Sequence, residues 1–231
     1  MKYIFILGLL SWMTLLPLSG NAQVCEGYFS IADQSELEYS HYDKKEKMSG
    51  RSIHKVSETK STADGIEATV ATEFYDDKGE LVQSGSFGMR CTDDKIYIDM
   101  SNMVPAEMTA SLQDMEMEMS GDYMEFPNHP VAGQSLPDGN LTMIAKMDGT
   151  PVMNMTVHVT DRKIEGFETI TTPAGTFECM KYSESSETKM IFKIQSKSIT
   201  WYAKNIGMVK TESYDDKGKL QGYTLLTGYK K

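Results

Sequence analysis

Basic charge is scarce in this chain. Its 23 Lys and Arg stand against 33 Asp and Glu, a formal net charge of −10 at pH 7. That balance excludes the basic footprint of a nucleic-acid-binding protein and weakens attraction to anionic lipid surfaces. Long apolar runs are missing after the first twenty or so residues, so no transmembrane helix is expected, since one needs about 20 apolar residues in succession. Catalytic motifs are missing too: there is no serine elbow, no phosphate loop and no His-Glu-x-x-His. Asp and Glu are plentiful, but a glycosidase pair is not recognisable from spacing alone. No catalytic residue, metal ligand or cofactor is therefore assigned. His41, His54, His129 and His158 show no paired spacing and read as surface or hydrogen-bonded side chains.

What is present begins at the N-terminus. Lys2 supplies a positive start, Tyr3 to Leu18 an apolar stretch, and Gly20-Asn21-Ala22 the small residues of a cleavage site. Residues 1–22 thus read as a secretory signal peptide, cut between Ala22 and Gln23. Lys2 is the only charged residue lost, which takes the net charge from −10 to −11. The remainder, 23–231, reads as a single domain with a weak subdivision near residue 130, where Asn128-His129-Pro130 and Leu136-Pro137-Asp138-Gly139-Asn140 form loops.

Export permits disulfides, and Cys25, Cys91 and Cys179 make an odd number. A Cys25–Cys91 bridge is expected, with Cys179 free and buried. Cys91 ends a strand beside a turn and reads as accessible, whereas Cys179 shares parity with Phe177. The bridge would close a loop of about 65 residues, worth roughly 4 kcal/mol in the chain-entropy picture. The alternative is lipidation of Cys25, for which Val24 and Gln23 are poor preceding residues.

The mature chain reads as strands and turns. Met153, Met155, Val157 and Val159 alternate with polar residues, Phe192 and Ile194 alternate with Lys193 and Gln195, and Ile96-Tyr97-Ile98 is a short apolar strand. Tyr75-Asp76-Asp77-Lys78-Gly79 recurs as Tyr214-Asp215-Asp216-Lys217-Gly218, with a degenerate copy at Tyr42-Asp43-Lys44-Lys45-Glu46. These read as hairpin turns: Asp caps backbone amides and Gly takes a positive φ. The ligand spacing of a calcium loop is lacking. One short helix is expected over 105–113, opened by Pro105. The fold class is all-β, an antiparallel meander, curved or barrel-like.

Methionine is the compositional outlier, at 18 residues. Met115-Glu116-Met117-Glu118-Met119 places three thioethers on one strand face. Three readings follow: a Cu(I) site, a pliable groove for an apolar ligand, or a Met-rich core layer. No Cys or His accompanies the sulfurs on that strand, which favours packing over metal.

Three segments together resemble one family. They are Thr172-Pro173-Ala174-Gly175-Thr176-Phe177-Glu178-Cys179, Trp201-Tyr202-Ala203-Lys204-Asn205-Ile206-Gly207-Met208-Val209 and Tyr214-Asp215-Asp216-Lys217-Gly218-Lys219-Leu220. With the signal peptide, Cys25 and the Ile96–Met100 strand, they are similar to the TapB-like family of secreted bacterial proteins, related to exported domains of unknown function. The resemblance implies an antiparallel barrel-like fold in the periplasm or on the outer surface of a Gram-negative bacterium. It implies no reaction and no ligand. The expected function is an exported binding or scaffolding protein, with a partner that is an envelope protein or an apolar ligand. A carrier with a hollow barrel is the alternative, and an envelope hydrolase a third reading. A monomer is expected.

Overall fold

The computed structural model describes residues 27–100, 104, 112 and 114–230. Thirteen strands form one sheet: β1 (Glu36–Asp43), β2 (Met48–Thr62), β3 (Gly65–Asp76), β4 (Leu81–Cys91), β5 (Lys95–Asp99), β6 (Glu116–Gly121), β7 (Tyr123–Pro127), β8 (Gly139–Met147), β9 (Thr150–Thr172), β10 (Gly175–Lys189), β11 (Lys193–Ala203), β12 (Gly207–Asp215) and β13 (Leu220–Lys230). Their order is β6-β8-β9-β10-β11-β12-β13-β1-β2-β3-β4-β5-β7, antiparallel throughout. Two meanders, β8–β13 and β1–β5, are joined by the pairing of the last strand with the first.

The two edge strands, β6 and β7, are separated in sequence by Asp122 alone. The chain pairs with β8 on one side, turns at Asp122, and pairs with β5 on the other. The sheet is thereby nearly closed into a barrel, which leaves little exposed edge. Asp122 fixes the step: its amide donates to the Asn140 carbonyl at 2.8 Å, and the Asn140 amide and side chain both donate to its carboxylate at 3.1 Å.

The three repeated turns have one geometry. In each, the Asp carboxylate accepts the amides two and four residues on: Lys45 and Lys47 at Asp43, Lys78 and Glu80 at Asp76, Lys217 and Lys219 at Asp215, all at 2.8–3.0 Å. The fourth position takes positive φ in every copy, at Glu46 (62°), Gly79 (85°) and Gly218 (74°). Glycine needs no compensation there, and Glu46 tolerates it. Those backbone donors hold the Asp43 and Asp76 carboxyls below the usual carboxylate range. The register places all three turns at one end of the barrel, where Lys47 and Asp77 link two of them at 3.4 Å.

The opposite end is crossed by the segment Gly27–Ser35. The Gly27 carbonyl accepts from Asn205, Phe29 and Ile31 are buried, and Gln34 and Ser35 exchange backbone bonds with Val56. Phe29 packs on Phe126 and Tyr202, with ring centroids 5.1 and 4.7 Å away. The helix expected over 105–113 lies outside the described residues, apart from Leu112, which is buried in the main core.

The interior is largely filled. Met89, Met100, Met124, Met143, Met155 and Met180 are buried together with Ile96, Phe126, Leu141, Val157, Val159, Ile164 and Tyr182. Each such apolar side chain contributes about 1.5–3 kcal/mol, and Met's flexible thioether fills irregular gaps between rigid strands. A smaller cluster gathers Tyr39, Phe177, Cys179, Trp201, Val209 and Leu226. The alternation read in β9 holds, with Met155, Val157 and Val159 buried and Asn154 and His158 outward. The alternation at Phe192 and Ile194 does not produce a buried face. They are 72% and 57% exposed, because the β10–β11 hairpin carries them out to its tip.

Candidate functional site

Among the described residues, one cavity inside the barrel has a predominantly apolar lining. It has a volume of about 150 Å³ and lies between the crossing segment, β1–β4 and the β11–β12 turn. Its walls include Phe29, Tyr39, Val56, Val70, Phe87 and Tyr202, and no charged side chain lines it. The Tyr39 hydroxyl is occupied, donating to the Met208 carbonyl at 3.1 Å.

His54 also lines this cavity. Its ring meets Tyr39, Phe74 and Phe87 edge-on at 5.0, 6.0 and 6.3 Å between centroids. Burial, with help from His41, pushes its pKa down to about 4, so the imidazole is neutral at pH 7. His41, one strand away, is hydrogen-bonded through both nitrogens, to Thr224 at 2.9 Å and to Ser52 at 3.0 Å. Neither nitrogen of His54 has a hydrogen-bond partner among the described residues. The sequence reading of all four histidines as surface or satisfied therefore fits His41, the exposed His129 and the outward His158, which meets Asn140 at 2.6 Å, but not His54. Period-2 spacing placed His54 level with Ser52 and Val56 on the inward face, a signal available in the sequence.

A second buried polar group is unrelated to the cavity. Arg162 is 2% exposed. Its Nε donates to the Tyr182 hydroxyl at 2.7 Å, and its terminal nitrogens donate to the carbonyls of Pro137 and Glu125 at 2.5 and 3.0 Å. The guanidinium lies 5.0 Å from the centre of the Phe126 ring. Tyr182 donates onward to Glu184 at 2.5 Å, and Ser198 supplies that carboxylate with a second donor at 3.2 Å. Burial raises the Glu184 pKa, against the opposing pull of Tyr182 and Arg162. Because Glu125 lies on β7 and Pro137 just before β8, Arg162 fastens β9 across the seam of the barrel. Asp161, at φ 53°, makes this possible: Asp161 and Arg162 together oppose Glu184, and the bulge turns the even positions inward.

The residues singled out from sequence are distributed as follows. Cys25 lies outside the described residues. Cys91 ends β4 as expected but is 2% exposed, so the expectation of an accessible side chain is corrected: strand β5 and the Asn128 side chain, bonded to the Thr92 and Asp93 carbonyls, cover it. Cys179 is a free, buried thiol, and burial pushes its pKa up to about 11, which suppresses the reactive thiolate. Met115 and Met117 are partly buried against the main core, but Met119 is 47% exposed, since β6 is a short edge strand with little above its far end. Glu118, on the opposite face, pairs with Lys146. No cluster of three or more His, Cys, Asp or Glu suited to a metal occurs among the described residues. No helix there is long and apolar enough to cross a membrane.

Comparison with solved structures gives two close fold matches. A candidate exported protein with a YmcC-like fold from Bacteroides fragilis NCTC 9343 is 27% identical, with 90% of this chain and 100% of that one covered and a TM-score of 0.75. A candidate lipoprotein from Parabacteroides distasonis ATCC 8503 is 23% identical, with the same coverage and a TM-score of 0.76, a likeness of fold. No curated protein matches. The sequence matches the DUF3108-like family over residues 33–226, from just before β1 into β13, and the chain belongs to that family.

Proposed function

We propose that this is an exported, non-catalytic envelope protein that binds or scaffolds a partner through its outer surface, in the periplasm or on the outer face of a Gram-negative cell. The finer kinship with the TapB-like secreted proteins belongs to the same proposal. The observation that carries it is the filled interior. A cavity of about 150 Å³ falls well short of the roughly 300–1,000 Å³ of typical ligand pockets. That size disfavours a lipid carrier, the alternative reading. The kinship with an exported protein of the same fold supports the compartment.

The surface that suits a partner is the β10–β11 tip. Ile191 and Phe192 are 90% and 72% exposed there, and Met147 and Val152 lie half-exposed on the neighbouring β8–β9 hairpin at the same end of the barrel. Apolar side chains held this far out gain by burial against an apolar patch of another protein. The test is a photo-crosslinking residue at Phe192, in cells of the native host. A discrete adduct that is absent when the crosslinker replaces Lys204, at the opposite end, supports the proposal. Absence of any adduct, or a stoichiometric lipid found by native mass spectrometry, overturns it in favour of the carrier.

A further inference from the structure

The internal cavity has features that an exterior binding role leaves unexplained. Here an apolar, aromatic-lined cavity is retained in the barrel wall, and the half-buried His54 ring, to which no other side chain or backbone group of the described residues is hydrogen-bonded, faces it. A polar ring in an apolar site is unfavourable unless something completes its hydrogen bonding. The other half-buried histidine of the same sheet, His41, is hydrogen-bonded through both nitrogens.

We propose that the cavity is a binding site for a small uncharged aromatic molecule with one ring and one hydroxyl, a phenol, whose hydroxyl pairs with His54. Volume sets the size: about 150 Å³ is the scale at which an apolar protein cavity holds a benzene-sized guest. The absence of charged groups in the lining excludes a carboxylate or an amine, which would be buried without a counter-charge. The rings of Phe29, Tyr39, Phe87 and Tyr202 give the guest edge and face contacts. A neutral imidazole offers one acceptor and one donor, and a hydroxyl can meet either. A long acyl chain does not fit. This inference is independent of the exterior surface proposed above, and either can fail alone.

The experiment uses the mature protein at pH 7, with phenol and toluene as probes of equal shape. Saturation-transfer NMR and displacement give relative affinities, and the ¹⁵N resonances of the four histidine rings report the contact. Phenol is expected to bind at least about fivefold more tightly than toluene, the worth of one hydrogen bond. The His54 nitrogens alone should shift. His54→Leu should abolish the preference, and Val70→Phe, which fills the void, should abolish binding of both probes. If Val70→Phe does not fold, the His54 shift in the unmodified protein decides the matter. The proposal is overturned if neither probe binds, if phenol and toluene bind alike, or if phenol binds without moving His54. Tighter binding of dodecanoate, with displacement of phenol, overturns it as well.

Discussion

Replacing Arg162 by alanine removes the fastening across the barrel seam, and the structure sets the scale of the loss. Three hydrogen bonds from a charged donor disappear, orphaning the carbonyls of Pro137 and Glu125 and one side of the Tyr182 hydroxyl. Each buried orphan costs about 1–3 kcal/mol, though some of that is recovered if water enters the space left by the side chain. Glu184 meanwhile loses the positive charge that opposes its burial and takes up a proton more readily. Two or three such orphans, partly relieved by water, set the expected loss at about 3–5 kcal/mol. For a chain of this length 1 kcal/mol moves the midpoint by about 2–4 °C, so Tm should fall by about 6–20 °C.

Two measurements separate this from a generic core defect. Arg162→Met keeps most of the volume and removes every donor, so it should recover part but not all of the loss. Hydrogen exchange should accelerate first at the amides of β7 and the start of β8, the strands that Arg162 joins, and last in β1–β3 on the far side of the barrel. A loss below about 1 kcal/mol for Arg162→Ala, or protection lost uniformly around the sheet, would refute the clasp.

Three further outcomes are expected. His54 has a folded pKa of about 4 against an ordinary 6.5, so the unfolded chain binds the extra proton; stability is complete above pH 6.5 and falls by up to about 3 kcal/mol as pH drops to 4. Urea titrations should show that slope, and His54→Leu should flatten it, whereas Glu184, whose pKa is raised, contributes with the opposite sign. Non-reducing peptide mapping should find Cys25 linked to Cys91, because Gly27 lies against Ile96, the cross-strand partner of Cys91; Cys179 in the bridge would refute this. Met143→Ala, at a fully buried site, should cost about 2–5 kcal/mol in denaturant midpoints, and Met117→Ala, only partly buried, distinctly less; equal losses would show that β6 is buried by something else.

The sequence made the turns and the fold class legible because their causes are local. Asp at the first corner and a residue tolerant of positive φ at the fourth position determine the hairpin at residues 43–47, 76–80 and 215–219 without help from the rest of the chain. Alternation exposed the buried faces of β5 and β9 in the same way. What was illegible depended on bulges and on where each hairpin ends relative to the barrel. Arg162 lies on the wrong parity for an inward residue if β9 is read straight through from Val159, and only the extra residue at Asp161 corrects the count. Ile164, apolar and two residues on, is the one hint of the flip. Phe192 and Ile194 carry an inward-looking pattern that lies beyond the rim, where no opposing wall exists to bury them.

The same distinction explains why the seam could not be foreseen. Whether β6 and β7 form one strand or two is decided by their neighbours, since Met117 faces a partner on β8 and Met124 a partner on β5. A strand shared between two edges must change partners at one point, and at Asp122 one backbone bond to Asn140 is kept while the Asn140 amide and side chain bond the Asp122 carboxylate. β7 and β9 share no ladder, and the long, fork-shaped donor of Arg162 links them through the Glu125 carbonyl. Closure of this barrel thus rests on a solvent-facing contact between Asp122 and Asn140 and on the buried guanidinium of Arg162. That arrangement makes the seam the part of the fold most sensitive to loss of a single hydrogen-bonding group.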